Sequence, residues 1–229
     1  MKKMNIMGIE LRDYSMKEAS RLIGQYLSNQ RLDIVYFLSI DILVQAGENE
    51  NLKTWLESME LTVPVSTEIL AAAGITSKTR IKEVGSNAFY KALIKRLSNE
   101  RCTMFLLTET EAALQKAKEY IETHASGIEI IGSYAFENLS GDADMIINDI
   151  NAAVPDVVMS RLVSPKQEQF VFENRNKINS KIWLAINDTF TIKESTMGLK
   201  LEKLSRLIDK TIFRRMVSKY ENNQEKGDS

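Results

Sequence analysis

The stretch Asp33-Ile-Val-Tyr-Phe-Leu-Ser39 sets five apolar side chains in a row between two polar ends. A half-buried strand would alternate apolar with polar residues. An unbroken run instead marks a strand covered on both faces, as in the middle of a parallel sheet. Upstream, Ser15-Met-Lys-Glu18 is a capping box in front of Ala19, Leu22, Ile23 and Tyr26, which predicts a helix over 16–28. Downstream come a helical stretch to about Glu60, a strand over Leu61 to Pro64 and a helix from Ser66 stopped by Gly74. The rhythm repeats with a helix over Asn87 to Leu97, a strand over Cys102 to Leu107 and a helix opened by Thr108-Glu-Thr-Glu111. Then follow a strand at Ile128 to Ile131, a helix at Asp144 to Ala152, a strand at Asp156 to Leu162, a helix at Pro165 to Ile178 and a strand at Lys181 to Ile186. Strands alternating with helices give an α/β fold: a mostly parallel central sheet with helices on both faces and ligands at the carboxyl ends of the strands.

With 229 residues, 44% hydrophobic and 27% charged, the chain has the composition of an ordinary globular protein. Thirty basic against 31 acidic residues leave −1, so no overall field attracts nucleic acid, and none is expected as a partner. One cysteine, Cys102, and one histidine, His124, exclude a disulfide framework and a multi-ligand zinc site. They limit any histidine-dependent triad to His124. Neither a membrane span nor a signal-peptide apolar run is visible, and the expectation is a protein made and kept in the cytoplasm.

The C-terminal region differs. Lys200, Lys203, Arg206, Lys210, Arg214, Arg215 and Lys219 face only Glu202 and Asp209, a local +5. Leu201, Leu204, Ile208 and Ile212 recur at helical spacing, extended by Phe213, Met216 and Tyr220. The expected organisation is an α/β domain over 1–197, a basic amphipathic helical appendage over 198–220 and a frayed polar tail over 221–229. Such a helix either lies on an anionic membrane surface or docks on its own or a neighbouring subunit.

Ser164-Pro165-Lys166-Gln167-Glu168 follows a buried strand and opens a helix. Free N–H groups and the positive helix end there suit a phosphate, Lys166 adds charge and the Gln167 amide can meet sugar hydroxyls. At these residues, and in the strand-helix series leading to them, the chain resembles the WecG/TagA/CpsF glycosyltransferases of bacteria. The resemblance implies transfer of an N-acetylhexosamine from a UDP-sugar to a polyprenyl-diphosphate-linked acceptor at the inner face of the cell membrane, without metal or cofactor.

Carried across position by position, the resemblance places Ser39-Ile-Asp41 at the family's Thr-x-Asn and Lys82-Glu-Val-Gly85 at its Arg-x-x-Gly. It implies substrate contacts from Ser39, Lys82, Gly85, Lys166, Gln167 and Glu168. The Pro-Asp-Gly that carries the proposed base falls on Pro64-Val65-Ser66, and Val65 cannot accept a proton. Glu68 and Asp41 are the carboxylates that could replace it, as catalytic bases displaced from the usual position. Family glycines fall on Arg161-Leu-Val163, Asn187-Asp188 and Thr108-Glu109, which accounts for only ten glycines in 229 residues. Two readings stay open: an active transferase, or a degenerate paralogue serving as a binding or scaffolding subunit, as a homo-oligomer or beside an active paralogue.

Three further features read as structural. Asp142-Ala-Asp144 resembles a metal-holding pair but sits at a helix start, where aspartates cap. His124 falls at a helix end, where it meets terminal carbonyls, and Cys102 opens a buried strand as a core thiol.

Overall fold

The computed structural model describes residues 2–187, 190, 211 and 213–220. Ahead of the first predicted helix the chain forms an antiparallel hairpin of β1 (Lys2–Ile6) and β2 (Ile9–Asp13). Its two-residue turn, Met7-Gly8, has positive φ at both positions, the geometry whose twist matches paired strands. A Cβ on Gly8 would also collide with the Tyr220 hydroxyl. Met4, Ile6, Ile9 and Leu11 alternate inward, and all four are buried.

The helix α1 (Met16–Ser28) begins as the capping box requires: Ser15 Oγ accepts from Glu18 N and Glu18 Oε2 accepts from Ser15 N at 2.9 Å. After it come β3 (Asp33–Leu38), α2 (Ile40–Ala46), α3 (Glu50–Glu57), β4 (Leu61–Pro64), α4 (Thr67–Ala72), α5 (Lys78–Gly85) and α6 (Ala88–Asn99). The predicted helical stretch to Glu60 is thus two helices. Its break falls at Gly47, with Asn49 capping the second helix through its side chain. A further helix, α5, stands in the segment of the Lys82 to Gly85 motif.

The order continues with β5 (Thr103–Thr108), α7 (Glu111–His124), β6 (Glu129–Ala135), α8 (Asp144–Ala153), β7 (Val157–Arg161), α9 (Lys166–Asn174) and β8 (Ile182–Ala185). Thr108 belongs to β5, so the cap of α7 is Thr110, whose side chain accepts from Ala113 N. Pro165 is the N-cap of α9 rather than its first helical residue, and the helix stops at Asn174 instead of Ile178.

Six strands form one parallel sheet in the order β4-β3-β8-β7-β5-β6. All six burial positions of β3 are buried, as the unbroken apolar run requires. Alternate residues divide between two cores. Ile34, Tyr36 and Leu38 face the hairpin, α2, α3, α4, α8 and α9. Val35 and Phe37 face α1, α6 and α7. The fold is therefore α/β with helices on both faces, as predicted.

Residues 213–220 form a helix, α10, seated on the first core. Phe213 is fully buried and Val217 packs beside it, while Arg214, Arg215 and Lys219 are exposed. For this part of the appendage the apolar side docks on the chain itself. The 197/198 boundary, the basic segment over 198–210, Ile212 and the tail over 221–229 lie outside the described residues. Among the described residues no helix is long and apolar enough to cross a membrane.

Candidate functional site

In a parallel sheet every strand ends on the same side, and there the helices that follow begin. Here α2, α4, α7 and α9 leave the ends of β3, β4, β5 and β7 with their positive ends at this edge. Each carries an acidic residue in its first turn: Asp41, Glu68, Glu111 and Glu168. The residues just past the strands form a row in sheet order, Val65 after β4, Ser39 after β3, Ile186 and Asn187 after β8, Leu162 after β7 and Glu109 after β5.

Two hollows open along this row. One, of about 300 Å³, is lined by Val63, Pro64, Val65, Phe37, Phe89, Tyr90 and Phe190, with Arg80, Glu83 and Asn87 among its polar residues. The Arg80 guanidinium is committed: it donates to Asp13 Oδ1 at 2.6 Å and to Glu83 Oε2 at 2.7 Å. Burial opposes its charge, but the two carboxylates outweigh that and raise its pKa further. The position where the resemblance has a base is thus a valine in an aromatic-walled cleft. The second hollow, of about 510 Å³, is lined by Lys116, Tyr120, Met159, Arg161 and Ile186, and shares Tyr90 and Phe190 with the first. The Phe190 ring sits 5.4 Å from Phe37 and 5.2 Å from Tyr90, and its carbonyl accepts from Arg161 at 3.2 Å.

The sequence-predicted residues fall into two groups. Ser39 caps α2, accepting from Ile42 N, and its hydroxyl also meets Asn187 Nδ2 at 3.3 Å. Asp41 stands in the first turn of α2 and Glu68 in that of α4, where Thr67 Oγ1 lies 3.4 Å from Glu68 Oε2. Lys82 is exposed in the last turn of α5. Gly85 ends that helix, 3.8 Å from the Thr67 methyl as measured from an added Cβ, so space there is ordinary.

The other group surrounds the start of α9. The sequence reading has the Gln167 amide meeting sugar hydroxyls, but the structure turns this side chain into the fold. Gln167 is fully buried, its Oε1 accepting from Ser160 Oγ at 2.9 Å and from Leu162 N at 3.3 Å. Glu168 is fully buried too, its Oε1 accepting from the Tyr36 hydroxyl and from Ser164 Oγ at 2.9 Å. Burial pushes its carboxyl above the usual range despite these donors. Tyr36 is shifted well upward by burial and by Glu168, so its hydroxyl stays a donor. These two motif side chains fasten α9 to β7 and β3. Lys166 alone of the three reaches the surface, paired with Glu109 and 5.0 Å above the Phe136 ring centroid.

Sequence reasoning missed Arg161, Lys116, Tyr120, Asn87 and Phe190 as site residues. Asn87 had a usable signal: it stands two residues after Gly85 and adopts φ 53°, a left-handed conformation asparagine tolerates better than most residues. The other features read as structural stay so. The aspartates do not cap α8 as expected, since its N-cap is Ala143 without a side-chain cap bond; instead Asp142 Oδ1 accepts from Asp144 N and Asp144 pairs with Lys177 at 3.1 Å. His124 Nδ1 meets the Tyr120 carbonyl at 3.0 Å while its ring stacks on Tyr120. Burial pushes the Cys102 thiol up to about 11.

The chain belongs to the glycosyl transferase WecG/TagA/CpsF family, whose model matches residues 4–193. It is thereby placed among glycosyltransferases of cell-surface polysaccharide synthesis. No curated protein matches it.

Proposed function

We propose that this family member holds a UDP-N-acetylhexosamine across the carboxyl ends of β7 and β8, opposite a polyprenyl-diphosphate-linked acceptor, as a donor-binding subunit of low intrinsic turnover. The hollow of about 510 Å³ carries the binding half of this reading. It combines two cations, Lys116 and Arg161, with the Tyr90, Tyr120 and Phe190 rings, the mixture of apolar walls and a few convergent polar groups that small-molecule sites use. The cations suit a diphosphate and the rings suit a nucleobase. The diphosphate would lie over the end of β7 between Arg161 and Lys166, with the sugar on the Ser39, Asn187 and Val65 side.

Val65 carries the other half. A positioned general base contributes about 10²- to 10⁴-fold, and a valine among aromatic rings supplies none of it. Calorimetry with UDP-N-acetylhexosamines, together with a transfer assay on a polyprenyl-diphosphate acceptor, tests both halves. Binding with little or no product is the expected result. Robust turnover insensitive to Glu68→Gln and Asp41→Asn would reject the low-turnover claim.

One alternative has its own observation. Asp41 and Glu68 open the helices after the two strands that flank the Val65 cleft, so either could act as a relocated base. Turnover lost in just one of Asp41→Asn and Glu68→Gln would establish it. For the acceptor side, the exposed Arg214, Arg215 and Lys219 suit an anionic membrane, at about 1 kcal/mol per basic residue near the surface. Flotation with anionic but not neutral vesicles, lost when all three become glutamine, is the expected outcome.

A further inference from the structure

We propose that Glu109 is an internal competitor of the nucleotide diphosphate, an anion built into the chain that occupies Lys166 until ligand displaces it. The inference rests on the donor-binding reading above and adds a control on that same site.

Glu109 is the first residue after β5, and its main chain is held on both sides. Its N–H donates to the Arg161 carbonyl at 3.2 Å and its carbonyl accepts from Glu137 N at 3.0 Å. The side chain is thereby directed toward the neighbouring strand end, where β7 passes into α9. There Oε1 pairs with the Lys166 ammonium and Oε2 lies 3.4 Å from Val163 N. An ammonium and a main-chain N–H are donors a phosphate oxygen would use, and the carboxylate satisfies both.

The contact is suited to exchange. The Lys166 side chain is 46% exposed and that of Glu109 30%, so water reaches both partners. A pair this wet is weak, and a ligand with more charge than one carboxylate can break it. By contrast, Gln167 and Glu168 in the same turn are fully buried in bonds that a ligand could not reach without unpacking α9. Lys166 is thus the one side chain of this motif placed to change partners, and Glu109 sets the cost of the change.

Isothermal titration of UDP into the full chain tests this. Glu109→Gln keeps the shape of the side chain and removes its charge, and it should bind UDP roughly two- to fivefold more tightly than the unaltered protein. Glu129→Gln removes the same charge at the opposite end of the sheet, from the exposed start of β6, and should leave the affinity unchanged. Adding Lys166→Gln to Glu109→Gln should cancel the gain. Thermal melting of each variant confirms that the fold persists, and Glu109→Ala serves if the glutamine variant does not fold. Equal UDP affinity for the unaltered protein and Glu109→Gln, with Lys166→Gln weakening both, would overturn the competitor role and leave the donor-binding reading intact. No UDP binding by any folded variant at millimolar ligand would overturn both.

Discussion

The two ends of the parallel sheet use similar side chains in opposite ways. At the amino end, carboxylates bind strand starts together. Asp156 accepts from Thr103 N at 3.0 Å, Thr103 Oγ1 at 3.1 Å and Lys181 Nζ at 2.7 Å, joining β5, β7 and β8. Glu60 likewise accepts from Ile34 N at 2.9 Å and from Arg175 at 2.6 Å. At the carboxyl end the strand termini instead border hollows of about 300 and 510 Å³, and the polar groups between them are a mixture of buried ties and one exposed ion pair. The amino end also borders a hollow, lined by Tyr14, Tyr26, Asn29, Arg31 and Glu60, so the ends differ in their groups rather than in space: carboxylates tie strand starts at one end, while rings and cations line the hollows at the other.

The largest effect expected from this contrast lies in the Val65 cleft. Val65→Asp should raise transfer from a UDP-N-acetylhexosamine by about 10²-fold or more while lowering the melting temperature, because a carboxylate enters an aromatic-walled cleft. Product formation measured for both proteins checks it, and unchanged turnover would remove Val65 as the reason for low activity.

At the amino end, Asp156→Ala should cost about 2 kcal/mol of stability, since three donors lose their acceptor, without altering UDP affinity. Burial works to raise the Asp156 carboxyl, but Lys181 and Thr103 outweigh it and hold it below its ordinary value of 3.8. A lowered folded-state pKa contributes stability above the unfolded value and loses it as pH falls through the folded one. The gap between the two proteins in denaturant titrations should therefore be full at neutral pH and close below pH 3.8.

Glu168 has the opposite sign. Burial raises its carboxyl above the ordinary 4.5, so its contribution is complete below that value and declines as pH rises through the folded pKa. Glu168→Gln keeps an acceptor for Tyr36 and Ser164 and does not ionise. Its melting temperature relative to the unaltered protein should climb as pH rises above 4.5. A parallel pair of curves would show that the buried carboxyl does not titrate in this range. The smallest effect is at Asp144, half-exposed in its pair with Lys177: Asp144→Ala should cost under about 1 kcal/mol by melting.

This contrast also marks what can be read in the chain. The run from Asp33 to Ser39, the Ser15 capping box and the alternation of strands with helices report burial within one element, and local pattern suffices for that. The hairpin escaped because Met4, Ile6, Ile9 and Leu11 make two strands too short for their alternation to stand out around Met7-Gly8. The site was less legible for a different reason. Tyr36 and Glu168 are 132 positions apart and Asp13 and Arg80 are 67, and no periodicity names a partner at such separation. The resemblance at Ser164 to Glu168 located a strand end correctly. It could not show that Gln167 and Glu168 turn inward, since motif spacing is the same for a side chain that holds a ligand and one that holds the fold.

The measurement that bears most directly on the donor-binding reading is calorimetric titration of UDP into the unaltered chain, Arg161→Gln and Asp156→Ala. Binding by the unaltered chain, weakened at least tenfold by the change at the carboxyl end and unchanged by the one at the amino end, is the expected result. UDP binding that ignores Arg161→Gln, or no heat from the unaltered chain at millimolar UDP, would contradict it.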